Sequence, residues 1–265
     1  MTCFDGVYWD NVYMAALNDA VTSAAWVDER GRLHPSMGLW HMRELIRRTA
    51  VMYHEQGKHG VFIPHMTNTN LVPTLAFANV ALDWEWQYGD RDFQDRFSPD
   101  LTVAQTLGRQ TGCVPLILSG GLYDRSNPKF PWAMRTRLGV CLVHELRVWD
   151  YGPEEEVALL KKLHEFGYGE PDCQVFNYWD DGHPVAVTGT EAKTIALSRG
   201  GKAVVVVTDY GDGGDCTVKL EAAKLGVPTA AKATDLETGK AITGDLANGF
   251  TFALKKNDFG VLLVE

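Results

Sequence analysis

Much of what would classify this chain at a glance is missing from it. Five cysteines (Cys3, Cys113, Cys141, Cys173 and Cys216) lie far apart, odd in number and without a CxxC spacing. That excludes a disulfide framework and argues against a metal cluster, so they read as small buried residues. No apolar run approaches the roughly 18 residues of a membrane span. The N-terminus lacks the basic-then-apolar pattern of a signal peptide, so an extracellular or periplasmic location is expected only if an upstream segment carries one. Net charge is -9, with no Lys/Arg cluster interleaved with aromatics, which speaks against nucleic acid as a partner.

The familiar catalytic signatures are missing too. There is no GxGxxG after the first strand-like run, no GxxxxGK followed by Ser or Thr, and no GxSxG elbow. "HEQGKH" (54–59) and "HELRVW" (144–149) do not set two histidines at the HExxH spacing. His54 ends a helical pattern, where an imidazole meets the helix C-terminal dipole. No cofactor or metal is expected.

What remains reads as a globular protein: 265 residues, 45% hydrophobic and 22% charged, with 8 tryptophans. Trp packs cores and also stacks on sugar rings, so its abundance inclines the reading towards carbohydrate. Up to about residue 165, short apolar runs alternate with helical ones. "VYWD" is the first strand; helices follow over 35–58, 98–112 and 153–167, and "PWAMRTRLGVCL" reads as another. "GVFIPHM" (60–66), "FANVALDWEW" (77–86) and "CVPLILSGG" (113–121) are further strands, with "VHELRVW" as a fifth. From about residue 172 the period becomes two, in six short strands separated by Gly, Asp and Asn turns.

This pattern predicts an α/β fold: a partial (β/α)₈ TIM barrel over 1–168, followed by a C-terminal antiparallel β-sandwich over 169–265. If the βα unit before the sandwich is the eighth, then "CVPLIL", "VALDWE", "VFIPHM" and "DGVYWD" are strands seven to four. An upstream segment or another chain is then expected to complete the barrel, because an open parallel edge is hard to keep soluble.

Barrel active sites lie at the C-terminal ends of the strands, and that sorts the carboxylates. Asp5 and Asp10 are roughly 16 Å apart in an extended strand and have opposite parity. Asp10 ends the strand and is the site candidate; Asp5 begins it and reads as a turn residue. Tyr8 and Asn11 flank Asp10. Asp83 and Glu85 form an i, i+2 pair on the next-but-one strand, with Trp84 and Trp86 on the opposite face. A carboxylate pair across a barrel mouth is what glycoside hydrolysis needs, one group facing the anomeric carbon and the other donating a proton. A neighbouring Trp would raise the pKa of such an acid by desolvation. His65 and Asn68 follow the fifth strand as candidate partners of sugar hydroxyls, and Asp124 follows the seventh. His144 is left open, and Glu145 beside Arg147 reads as an ion pair.

"DGVYWDN", "WVDERGRLHPSMGLWHMRELIRRTAVMYHEQGK" and "HMTNTNLVPTLAFANVALDWEWQYG" resemble the C-terminal part of barrels related to glycoside hydrolase family 123, over about residues 1–165. The DGxxxD strand is also similar to the fourth strand of retaining glycosidase barrels, where the last Asp is the nucleophile. The resemblance implies a barrel, a carbohydrate substrate and acid catalysis, with Asp10 as nucleophile and Glu85 or Asp83 as acid/base. Family 123 uses an adjacent Asp-Glu pair. In the barrel part that pair occurs only at Asp28-Glu29, within the expected hairpin "VDERGRLHP". The alternative to an enzyme is a non-catalytic carbohydrate-binding or scaffold protein on the same fold.

Overall fold

A computed structural model describes residues 4–12, 16–18, 25–67, 71–83, 91–106, 113–117, 126–148 and 154–265. Two compact units divide it. The first takes residues 1–87 and 104–118; the second takes 88–103 and 119–265.

The first unit holds four parallel strands: β1 (Gly6–Trp9), then β5 (Val61–Thr67), β6 (Val80–Asp83) and β7 (Val114–Ile117), in that spatial order. Between β1 and β5 the chain makes a small antiparallel sheet of β2 (Ala16–Leu17), β3 (Ala25–Val27) and β4 (Leu33–Met37), then helix α1 (Leu39–Glu55). The expected "VDERGRLHP" hairpin is β3–β4, with Asp28 at its turn accepting the backbone N–H groups of Arg30 and Arg32. The pairing of "LHPSM" with β3 shortens the helix expected from residue 35, so α1 begins only after Gly38. Its C-terminal side ends where Gly57 adopts a φ of 68°, a conformation glycine takes without side-chain cost.

Helix α2 (Val72–Leu75) precedes β6. Asn79 ties neighbouring strands together: its N–H donates to Phe62, its side-chain oxygen accepts from Phe62 N–H, and its carbonyl accepts from Val114 N–H. One face of the sheet is apolar, where Met66, Ala81 and Cys113 pack with Val12 and Leu75 against partly buried Trp9 and Met42. By strand alternation Tyr8, Ile63 and His65 belong to the other face. Gly6 makes the β1–β5 pairing possible. A Cβ there would stand 2.0 Å from the Val61 carbonyl oxygen, so no other residue fits.

In the second unit come helices α3 (Phe93–Arg96) and α4 (Pro99–Thr106), the latter starting in this unit with Ser98 Oγ accepting from Leu101 N–H as an N-cap. Residues 107–112 of the helix expected to run to 112 lie outside the described residues. Then follow α5 (Phe130–Val143), the two-residue β8 (Arg147–Val148) and α6 (Glu154–Phe166). Nine antiparallel strands complete it: β9 (Gln174–Asn177), β10 (Val185–Thr188), β11 (Ala192–Arg199), β12 (Lys202–Asp209), β13 (Gly213–Leu220), β14 (Ala233–Asp235), β15 (Ala241–Asp245), β16 (Gly249–Lys255) and β17 (Phe259–Val264), with a short helix α7 (Ala222–Leu225) after β13. They form one curled sheet in the order β10-β13-β16-β15-β14-β17-β12-β11-β9.

The continuous run "AVVVV" of β12 is explained by burial on both faces. Ala203, Val205 and Val207 point into a core inside the curl, with Cys216, Val218, Phe250 and Leu262. Val204 and Val206 point the other way, onto Leu138 and Leu142 of α5 and Leu159 and Leu163 of α6. A strand covered on both sides loses the polar alternation of a half-buried one.

Candidate active site

At the C-terminal end of β1, three polar side chains converge. Tyr8 Oη lies 3.0 Å from Asp10 Oδ1 and 2.8 Å from His65 Nδ1, and His65 Nδ1 lies 2.9 Å from the same Asp10 oxygen. The local sequence dictates the meeting. Tyr8 and Asp10 are i, i+2 on one strand, hence on one face, and the register Tyr8↔Ile63 puts His65 opposite Asp10 on that face. An ionised carboxylate oxygen can only accept, so Tyr8 O–H and His65 Nδ1–H both donate to it in the arrangement that satisfies all three groups.

The next residue fixes the turn. Asn11 has a φ of 55°, a left-handed conformation that Asn tolerates better than most residues, and its N–H donates to Asp10 Oδ1 at 2.9 Å. Val12 N–H then donates to the His65 carbonyl at 2.8 Å, closing the strand end. Exposure differs sharply within the cluster: the His65 side chain is 3% exposed, that of Asp10 57%. The imidazole is a buried support, and the carboxylate it holds faces solvent. The hydrogen bond from Tyr8 is the foremost cause that holds the Asp10 carboxyl below the usual carboxylate range, aided by His65 and the Asn11 N–H and opposed by partial desolvation. This group is anionic at any pH near neutrality.

Asp83 ends β6 and is buried, 3% exposed. It shares parity with Ala81, whose side chain packs in the helix-facing cluster, and the register between β5 and β6 shifts at this level, from His65↔Leu82 to Thr67↔Asp83. Glu85, Asn68, Trp84, Trp86 and Asp124 lie outside the described residues. Asp5 stands at the strand's entry, its carbonyl accepting from Val61 N–H. His144 is a structural histidine. Its Nδ1–H donates to the Val140 carbonyl at 2.8 Å, and its Nε2 accepts from Tyr178 O–H at 3.0 Å. Burial pushes its pKa down to about 4. Glu145, at a φ of 57°, accepts from Asn177 Nδ2 at 2.9 Å, and Arg147 donates to Tyr168 Oη. Cys113, Cys141 and Cys216 are buried thiols and Cys173 is a half-buried one, with no disulfide among them.

Sequence reasoning named each member of the cluster without seeing that Tyr8 and His65 grip Asp10. The i, i+2 spacing in "YWD" was the available signal for the first contact; the second depends on strand register.

No family model matches the chain, and no curated protein matches it in sequence. Among solved structures the fold is similar to α-galactosidase I from Mortierella vinacea, with a TM-score of 0.53 at 12% identity over 84% of this chain and 62% of that one. An α-amylase from Geobacillus thermoleovorans complexed with acarbose gives a TM-score of 0.48 at 10% identity, over 86% of this chain and 57% of that one. A noncanonic maltogenic α-amylase from Thermotoga neapolitana gives 0.47 at 8%, over 94% and 75%. The chain has a glycosidase-type fold, and it spans less than two thirds of the length of the first two of these structures.

Proposed function

We propose that the chain is a glycoside hydrolase, or the C-terminal part of one, that cleaves the O-glycosidic bonds of an oligo- or polysaccharide. In this reading residues 1–168 are the end of a catalytic barrel related to family 123 and residues 169–265 are its C-terminal β-domain. Asp10 faces the anomeric carbon as nucleophile or as stabiliser of the oxocarbenium-like transition state, and Glu85 or Asp83 protonates the leaving oxygen. Tyr8 and His65 hold the Asp10 carboxylate in one orientation and one charge state. Asn11, Asn68, Trp84, Trp86 and Asp124 line the sugar path.

The observation that carries the reading is the solvent-facing, ionised Asp10 gripped by Tyr8 and buried His65 at the C-terminal end of a parallel strand, where barrel active sites sit. Supporting completion by a further segment or chain, Tyr8 and Val61 on β1 and β5 are 42% and 48% exposed, whereas parallel sheets ordinarily bury both faces. The test is hydrolysis of a panel of aryl glycosides by the wild type, Asp10→Ala and Glu85→Gln. A retaining enzyme loses turnover in Asp10→Ala and regains it with azide, which fills the vacated space, attacks the anomeric carbon and leaves a glycosyl azide of inverted configuration. Saccharide binding without turnover in the wild type would instead establish a non-catalytic carbohydrate-binding protein.

A further inference from the structure

The second unit contains a cavity of about 650 Å³ that the proposed hydrolysis does not use, within the range of about 300–1,000 Å³ typical of small-molecule sites. Gln94, Asp100, Tyr178, Glu191, Lys193 and Tyr210 are among the side chains that line it, all within this unit. We propose that it binds a neutral saccharide, independently of the Asp10 reading.

Three observations carry the assignment. First, three buried polar atoms of the lining residues, Tyr210 Oη, Gln94 Oε1 and His183 Nδ1, have no hydrogen-bond partner among the described residues. Buried polar groups are ordinarily paired, so each marks a place where a ligand group completes the structure. The Tyr210 backbone is anchored by its N–H to the Glu191 carbonyl at 2.8 Å, and Gln94 Nε2 donates to the Asn257 carbonyl at 2.9 Å, which sets the orientation of the Gln94 amide. Second, the lining offers donors and acceptors together. Lys193 and Tyr210 donate, while Asp100, Glu191 and Gln94 Oε1 accept; a sugar hydroxyl does both at once and can answer either kind. Third, Asp100 and Glu191 outnumber Lys193, so the cavity carries net negative charge and disfavours a phosphate or carboxylate ligand. The Tyr178 ring adds an aromatic wall. Its hydroxyl is committed to His144, and the Lys193 ammonium stands 5.0 Å from its centroid.

The experiment titrates the full chain with maltotriose, xylotriose and galactose, and with inorganic phosphate as the anionic control, by saturation-transfer NMR and calorimetry. At least one neutral saccharide binds the wild type and phosphate does not. Tyr210→Phe, which removes one oxygen and keeps the ring, weakens that binding about tenfold with thermal stability undiminished. Lys193→Ala weakens it as well. Absence of saccharide binding, preference for phosphate, or affinity indifferent to both Tyr210→Phe and Lys193→Ala overturns the proposal. Binding lost in Asp10→Asn and kept in Tyr210→Phe also overturns it, because it moves the ligand to the first unit.

Discussion

One charged cluster in each unit shows two opposite uses of a carboxylate. In the first, Asp10 is held by two neighbours yet left more than half exposed. In the second, Arg137 and Glu156 are paired at 3.1 Å with side chains 1% and 4% exposed. A carboxylate oriented and kept in water can meet a substrate; one sealed beside a guanidinium can only hold helices together. The difference separates a solvent-facing charge from a buried architectural one, and it can be probed from both sides.

The largest effect falls on the first unit. Asp10→Asn should lower turnover by at least about 10³-fold, equivalent to about 4 kcal/mol of lost transition-state stabilisation, while the unfolding midpoint barely moves. Intact turnover in that variant would end the distinction. Arg137→Met should do the reverse, lowering stability by about 3–5 kcal/mol because Glu156 loses its buried counter-charge. Arg137→Met combined with Glu156→Leu should recover most of that loss in urea titrations. A double variant as unstable as the single would mean the pair does more than balance charge.

Acid should affect the second unit through His144. Its folded pKa, about 4, lies below the ordinary value of 6.5, so the unfolded chain binds the proton more readily. The associated stability is complete above pH 6.5 and is lost as pH falls through about 4, on the order of 3 kcal/mol in all. Urea midpoints at pH 7 and pH 4, compared between wild type and His144→Gln, measure it; identical pH dependence in the two would exclude the histidine as the cause. Smallest is the helix cap: Ser98→Ala should cost about 1 kcal/mol through loss of the bond to Leu101 N–H, read as a small fall in melting temperature.

Local pattern carried much of the architecture. Short β-branched apolar runs bounded by turn residues, "AKTIALSR" and "KAVVVVTD", marked β11 and β12, and the apolar spacing of 153–167 marked α6 to within a residue at each end. Three strands of the second unit escaped: β9, β10 and β15. Two of them are four residues long, and β15, "AITGD", is exposed along most of its length, so none shows a hydrophobic period long enough to read. The start of α1 was misread because pairing with β3 competes with helix over 33–37, and pairing between segments leaves no trace in a local window. At the candidate site the residue types were visible and the bonds were not. Asp10 and His65 are 55 residues apart, and only the parallel register of β1 on β5 makes them neighbours.

Strand β17 sits in the middle of the nine-stranded sheet, between β14 and β12, although it follows every other strand in the chain. Val264 pairs with both Ala203 and Ala233. During translation, at about 5–20 residues per second, the β11–β12 hairpin therefore emerges seconds before the strand that covers its inner edge. Until β17 arrives, the β12 edge, apolar on both faces, is open to any other extended chain. For this protein the ribosome and whatever shields that edge are part of the folding problem, and a stall before β17 would leave a nascent chain more prone to aggregate than one halted before β11.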